Sequence, residues 1–115
     1  MDNGRAPILS VRNLKTYFFQ DEGVVHAVDG ANFDLQAGRT LGIVGESGCG
    51  KSVTARSVLR IVERPGRIVE GEIILRRPVA GGQVDELDLA RLPADGALMR
   101  SIRGKDIGLI FQEPM

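Results

Sequence analysis

A glycine-rich stretch, GIVGESGCGKS at residues 42–52, contains the residue types best suited to holding a multiply charged anion. Gly45, Gly50, Lys51 and Ser52 fill every fixed position of the pattern G-x-x-x-x-G-K-[ST]. Glycines let successive backbone N–H groups approach an anion closely, and a tight loop turns these groups into an anion-binding nest. Because a lysine charge and a serine hydroxyl follow directly, the stretch predicts a binding site for a polyphosphate with its cation.

Each position of this loop has a predicted contact. Lys51 would reach the β- and γ-phosphates, and the hydroxyl of Ser52 would ligate Mg²⁺. A helix that starts near Lys51 would add unpaired N–H groups and the positive end of its dipole. Cys49 is the only cysteine and excludes an internal disulfide, so we interpret it as a small residue that fits the loop. The predicted nucleotide-binding residues of the loop are Gly45, Glu46, Ser47, Gly48, Cys49, Gly50, Lys51, Ser52 and Val53.

The segments on both sides of the loop have the pattern that such a site requires. Residues 40–45, TLGIVG, are apolar without alternation, which predicts a strand buried on both faces. After the loop, apolar residues recur at i, i+3, i+4 and i+7, which predicts an amphipathic helix over 51–63. Pro65 and Gly66 would end this helix.

The remaining segments are mostly of β type. Residues 8–19 and 24–36 are rich in β-formers and alternate in part, which predicts two strands. Residues 71–87 predict a hairpin that turns at PVAGGQ.

A short helix and a second buried strand complete the expected elements. Pro93 predicts the start of a helix that runs through Ile102 and is capped by Gly104. The apolar run 106–111, DIGLIF, predicts a strand like the one before the loop. Together these elements predict an α/β fold: part of a P-loop NTPase core with an antiparallel β portion.

The totals of the chain limit its partners. Its 115 residues make about one small domain, and 15 basic residues balance 15 acidic ones. This balance gives no reason to expect a nucleic-acid partner, whose phosphates call for a basic surplus. The N-terminus has no apolar stretch of signal-peptide type, and no apolar run approaches the length of a spanning helix. A protein of this kind would serve a membrane only through a partner.

The position of the loop and the flanking motifs point to one family. About forty residues of β pattern precede the loop, which disfavours a nucleotide kinase, and no guanine-reading motif appears. LSVRNLKTYF (9–18), HAVDGANFDLQAGRTLGIVGESGCGKS (26–52) and IRGKDIGLIFQEPM (102–115) resemble the nucleotide-binding subunit of an ABC transporter. The resemblance covers residues 8–115 and is strongest to the bacterial subfamily that powers di- and oligopeptide uptake.

The resemblance implies ATP and Mg²⁺ as ligands and assigns two more residues. Phe18 matches the aromatic residue that stacks on adenine, with Tyr17 as the next candidate. Gln112 matches the Q-loop glutamine, whose carbonyl faces Mg²⁺ or the attacking water. The sequence departs from the family pattern at Val53, where many members have a second hydroxyl residue. Here Thr54 comes one position later, so that hydroxyl is lost or relocated.

The resemblance also implies an assembly. A second ATPase subunit, transmembrane permease subunits and, indirectly, an extracytoplasmic solute-binding protein are the expected partners, with no nucleic acid. The expected location is the cytoplasmic face of the bacterial inner membrane, as a peripheral subunit. The transported solute rests on subfamily resemblance alone, so peptide, nickel and other small solutes stay open.

Several groups that the family uses for hydrolysis are not found in residues 1–115: the signature loop, the Walker B strand with its glutamate, and the switch histidine. We therefore expect the N-terminal part of an ABC-type ATP-binding domain, extending through the Q-loop, with no meaningful ATP turnover alone. The alternatives are a truncated nucleotide-binding remnant and a different P-loop NTPase such as a small kinase. Continuation of the reading frame into those missing motifs would separate the first two possibilities.

Overall fold

A four-stranded antiparallel sheet forms the centre of the molecule. The computed structural model describes residues 6–43 and 49–110, with Cys49 described by its backbone only. The spatial order is β2-β1-β3-β4, and every neighbouring pair is antiparallel. The strands are β1 (Leu9–Gln20), β2 (Gly23–Leu35), β3 (Gly66–Pro78) and β4 (Val84–Asp88).

Two hairpins account for most of the pairing. A tight turn at 21–22 joins β1 to β2, and a 3₁₀ turn at Ala80–Gly82 lies between β3 and β4. In that second turn Gly81 and Gly82 have φ values of +83° and +73°, a conformation that favours glycine. The predicted strands and the predicted hairpin are confirmed, with β3 beginning five residues before the expected start at 71.

A local irregularity lets β1 pair with strands on both sides. Its register against β2 and β3 shifts around residues 11–16, and Asn13 has a φ of +49°. Gly71 of β3 faces this place. A Cβ on Gly71 would lie 2.6 Å from the carbonyl oxygen of Asn13, so a side chain would force the two strands apart.

Two helices cover the sheet: α1 (Cys49–Val58) and α2 (Ala97–Lys105), the latter preceded by a 3₁₀ turn at Leu89–Arg91. Their apolar sides and the inner side of the sheet form one core, and neither of these helices is long and apolar enough to span a membrane. Burying each Leu, Ile or Met side chain of such a core contributes about 1.5–3 kcal/mol. The core residues are Val11, Leu14, Val28, Val53, Val58, Ile73, Leu75, Leu89, Met99 and Ile102.

A buried hydrogen bond docks α1 on the sheet. The hydroxyl oxygens of Thr16 in β1 and Ser57 in α1 lie 2.7 Å apart, and both residues are fully buried. The Ser57 hydroxyl gives its single proton to the carbonyl of Val53, at 2.7 Å. The Thr16 hydroxyl is therefore the donor in the pair. This bond fixes the position of α1 along β1.

The helix α1 ends five residues before the predicted end at residue 63. Arg60 has a φ of +59°, its N–H bonds the carbonyl of Ser57 at 3.1 Å, and the N–H of Ile61 bonds the carbonyl of Arg56 at 2.9 Å. These are the two bonds of a Schellman motif, with arginine at the position that glycine usually fills. The prediction that Pro65 and Gly66 end the helix was wrong, because the turn at Arg60 ends it first.

The helix α2 also differs from its prediction. It begins at Ala97, four residues after Pro93, and it continues through Gly104 to Lys105. Pro93 accepts a bond from the N–H of Gly96 at 3.0 Å, so it forms a turn before the helix rather than its first turn.

The two segments predicted as buried strands form no strand in the part that the structure describes. Residues 40–43 and 107–110 have no regular structure and no ladder partner. Leu41 is 41% exposed and Ile110 is 95% exposed. A strand buried on both faces needs hydrogen-bonded neighbours and a covering layer on each side, and the described residues supply neither for these segments.

Candidate functional site

The start of α1 carries the part of the glycine-rich loop that the structure describes. Lys51 and Ser52 lie in the first helical turn, and both are exposed. The first N–H groups of a helix have no partner within it and carry the positive end of its dipole. Gly50 lies beside β2, since a Cβ there would be 3.6 Å from the carbonyl oxygen of Ala27. This helix end therefore places a cation and a hydroxyl beside N–H groups that have no partner within the helix.

The next hydroxyl residue along the helix, Thr54, is buried, unlike Lys51 and Ser52. Val53, at the position where many family members have a hydroxyl, is 8% exposed and belongs to the hydrophobic core. The Thr54 hydroxyl donates to the carbonyl of Gly50, one turn earlier, at 2.7 Å. Of the two outcomes expected for this hydroxyl, this bond favours loss, because the Thr54 proton is used inside the helix.

Phe18 lies at the end of β1 that faces α1. Its side chain is half-buried, and the ring lies on Gly66, where an added Cβ would come within 2.6 Å of the ring. A small cavity of about 160 Å³ brings Phe18 together with Val53 and Arg56 of α1. The fold thus places the predicted aromatic residue next to the helix that begins in the glycine-rich loop.

Tyr17 has different neighbours. Its ring stacks on His26 of β2, with the ring centres 4.0 Å apart and 12° between the planes. Its hydroxyl donates to a carboxylate oxygen of Asp29 at 2.7 Å, and this bond raises the pKa of Tyr17 above its ordinary value. Because Tyr17 is already bound to β2 and does not line the small cavity, Phe18 is the better placed of the two aromatic residues.

Several predicted site residues lie outside the described residues: Gly45, Glu46, Ser47, Gly48 and Gln112, together with the side chain of Cys49. Their roles stay predictions. In residues 6–43 and 49–110, no group of three or more His, Cys, Asp or Glu side chains is arranged to hold a metal ion. The magnesium contacts expected of Ser52 and Gln112 stay predictions.

Sequence reasoning missed Arg56, which borders the cavity beside Phe18. The signal was present: Arg56 follows Val53 by three residues, so both lie on the same side of α1. It also missed the Thr16–Ser57 bond that positions the helix. No local pattern could indicate that bond, since the two residues are 41 positions apart.

The antiparallel sheet, with a helix packed on it that begins in a glycine-rich sequence, is consistent with part of an α/β ABC ATPase core. Residues 28–115 match the ABC transporter family, and the chain belongs to this family.

Relatives with curated names agree. The chain is 44% identical over 109 residues to the probable peptide ABC transporter ATP-binding protein y4tR of Sinorhizobium fredii, which covers 94% of this chain and 29% of that protein. It is 45% identical over 109 residues to the glutathione import ATP-binding protein GsiA of Shigella flexneri, with 94% and 16% covered. The protein of that name in Escherichia coli K12 is 44% identical over the same shares. The chain thus spans less than a third of these relatives' lengths.

Proposed function

We propose that the chain forms the nucleotide-binding part of an ABC transporter ATPase subunit that energises peptide import. The observation that carries this proposal is the start of α1, where Lys51 and Ser52 are exposed in the first helical turn. Membership of the ABC transporter family implies ATP as the nucleotide. The described geometry supports a site for its phosphates at this helix end.

Each group at the helix end has a role in holding MgATP. The Lys51 ammonium would bind the β- and γ-phosphates, and the backbone donors of residues 45–53 would bind the remaining oxygens. The Ser52 hydroxyl and the side chain of Gln112 would hold the magnesium ion. Magnesium, when bound, would neutralise part of the phosphate charge. Val53 would contribute only its backbone N–H, because its side chain is in the core.

The adenine would lie beside Phe18. The apolar residues of the cavity there are Phe18, Val53 and Val62, and its charged residues are Arg56, Glu63 and Arg64. A flat aromatic face binds any base by stacking, worth about 1–3 kcal/mol per base. This arrangement supports ATP binding by stacking at one end and by charge at the other.

The wider assembly is proposed from the family and from the named relatives. Those relatives are described as peptide and glutathione import ATP-binding proteins. We propose peptides as the transported class, a second ATPase subunit and transmembrane permease subunits as partners, and a peripheral position on the cytoplasmic side of the inner membrane. For residues 1–115, taken as the N-terminal part of the ATP-binding domain, we propose binding without meaningful hydrolysis.

The first test is Lys51→Ala, with MgATP affinity measured by calorimetry. We expect an affinity at least about tenfold lower, because a charge-assisted bond to phosphate is lost. Lys105→Ala is the matched control: it removes an exposed lysine at the far end of α2 and should leave the affinity unchanged. Equal affinity in the wild type and in Lys51→Ala would rule out the phosphate-loop assignment.

A second test separates the adenine contact from the phosphate contact. Phe18→Ala should lower the affinity for MgATP by about fivefold or more and leave the affinity for magnesium triphosphate unchanged. Tyr17→Ala should change neither affinity, since Tyr17 does not line the cavity. An equal loss for both ligands in Phe18→Ala would show that Phe18 only supports the fold.

A further inference from the structure

A second and larger cleft lies at the opposite end of α1. Its volume is about 980 Å³, and it is open to solvent on one side. The segment after α1, residues 60–67, forms one wall, and residues 94, 95 and 103 form the other. Its charged lining residues are Arg60, Arg64, Arg67, Arg103 and Asp95. Four arginines against one aspartate make this cleft positively charged.

Two of these arginines are held in place without a carboxylate. Arg60 donates to the carbonyls of Leu89 and Leu92, both at 2.6 Å. Arg103 donates to the carbonyls of Leu59 and Ala94, at 3.0 and 2.8 Å. Carbonyls fix a guanidinium group but do not cancel its charge.

The pKa of Arg60 reflects this environment. It is lowered first by burial and then by the positive charge of Arg103, and Asp88 offsets part of the effect. A lowered pKa means that the charged form of Arg60 is less stable here than in water. An anion bound between Arg60 and Arg103 would relieve this.

The other two arginines lie at the mouth of the cleft. The guanidinium of Arg67 lies over the ring of Phe19, 4.5 Å from its centre, and both side chains are exposed. Arg64 is exposed and has no ion pair or hydrogen bond to its side chain in the described part of the chain. Their donors are therefore available to a ligand that enters between them.

Two arginines outside the cleft, both in β3, form ion pairs with carboxylates. Arg76 pairs with Glu86 at 2.8 Å, and Arg77 pairs with Asp85 at 3.2 Å and with Asp106 at 2.8 Å. These arginines join β3 to β4 and, through Asp106, to the end of α2, and each of them has a carboxylate partner. The chain supplies none of these pairs to the arginines of the cleft.

We propose that this cleft binds a small phosphate-bearing molecule, at a site separate from the glycine-rich loop. Guanidinium groups bind phosphate oxygens in pairs, which favours this ligand over one with a single diffuse charge. The volume lies in the range of small-molecule sites, about 300–1,000 Å³. Its concave shape favours a soluble molecule over a lipid surface, and the exposed ring of Phe19 offers an apolar contact beside the charges.

The test uses pyrophosphate as the probe and the full chain with Lys51→Ala, so that the glycine-rich loop contributes little. Calorimetry should detect binding that Arg67→Gln weakens by about threefold to tenfold, the effect of losing one charged donor at an exposed rim. The double variant Arg64→Gln/Arg67→Gln should weaken it further. Arg67→Gln is the cleaner single change, because Arg64 also borders the cavity beside Phe18.

Arg100→Gln is the matched control, an exposed arginine of α2 outside the cleft. It should leave pyrophosphate binding unchanged. No binding in the Lys51→Ala chain, or the same loss in Arg67→Gln and Arg100→Gln, would overturn the proposal. Binding to vesicles with anionic lipid but not to pyrophosphate would also overturn it, in favour of a membrane surface. Failure of the phosphate-loop assignment would look different, as equal pyrophosphate binding with and without Lys51.

Discussion

The two ends of α1 both carry positive charge, but they use it in different ways. At the first turn, Lys51 is exposed and makes no ion pair with the described residues, and the first N–H groups of the helix have no partner within it. Two residues after the last turn, Arg60 adopts a left-handed backbone conformation and gives its guanidinium to two carbonyls. At the first end the charge of Lys51 has no structural task in the described residues, whereas at the other end the guanidinium of Arg60 also holds the chain.

From this difference we expect that ligand binding and stability can be changed separately along one short helix. An exposed charge without a partner in the protein contributes little to the free energy of unfolding, because water solvates it equally well before and after folding. A guanidinium that satisfies buried carbonyls contributes to folding, because without it those acceptors lose their partners. Substitutions at the two ends should therefore affect different measurements.

The largest expected effect comes from Arg60→Ala. It leaves the carbonyls of Leu89 and Leu92 without their donor, and we expect a loss of about 2–4 kcal/mol in the free energy of unfolding. Urea denaturation measures this loss, and calorimetry of the same sample should show unchanged MgATP affinity. Lys51→Ala should give the reverse result, with full stability and weak binding. If Arg60→Ala weakened MgATP as much as Lys51→Ala, the two ends would not be separable.

Arg60→Gly separates the contribution of the backbone conformation to stability from the contribution of the Arg60 side chain. Glycine adopts the left-handed conformation without strain, so Arg60→Gly should be about 1 kcal/mol more stable than Arg60→Ala. Both variants lack the guanidinium bonds, so both should remain less stable than the wild type. Equal stability of the two variants would mean that the turn after α1 opens when the side chain is removed.

At the first end, Val53→Thr tests whether the missing hydroxyl matters. Threonine has nearly the shape of valine but adds a polar group, and Val53 is a core residue. We expect a loss of about 1–2 kcal/mol in stability and unchanged MgATP affinity. Both follow from denaturation and calorimetry on one preparation. A gain in affinity would mean that the side chain at position 53 turns toward the α-phosphate when it carries a hydroxyl.

The sequence allowed some of this structure to be predicted, and the reason lies in the range of the interactions involved. The two hairpins depend on neighbouring residues, as turns between alternating strands. The start of α1 near Lys51 also follows from a local pattern, that of the glycines and the lysine. The end of α1 is a turn with Arg60 in the left-handed conformation that glycine usually adopts, and the guanidinium of Arg60 bonds carbonyls 29 and 32 positions away. The helical periodicity carries no sign of this turn, so the predicted helix ran past the true end.

The segments 40–43 and 107–110 illustrate the same limit. Their apolar composition predicts burial, but a strand also needs a neighbour to bond, and composition carries no information about the neighbour. The arginine cleft is a further case. Arg60 and Arg67 are close in sequence, but Arg103 lies in α2, and only the fold brings the three residues to one cavity.

The contact between Thr16 of β1 and Ser57, in the last turn of α1, should have a moderate effect. Thr16→Val removes a buried donor, while the Ser57 hydroxyl keeps its bond to the carbonyl of Val53. We expect a loss of about 1 kcal/mol in the free energy of unfolding. A cycle with Ser57→Ala measures the coupling, which should be favourable and below about 2 kcal/mol. Additive losses would mean that the two hydroxyls do not interact.

The smallest effect on stability and on MgATP affinity is expected for a change near the first end of α1, at Thr54. Thr54→Ala removes the hydroxyl that bonds the carbonyl of Gly50, and alanine is the better helix former, so the two contributions nearly cancel. Stability should stay within about 0.5 kcal/mol of the wild type. MgATP affinity should also be unchanged, because the Thr54 proton stays within the helix. A tenfold loss of affinity, about 1.4 kcal/mol, would contradict this. It would mean that the hydroxyl leaves Gly50 to bind a phosphate, and that this chain moves the usual second hydroxyl one position along the helix instead of losing it.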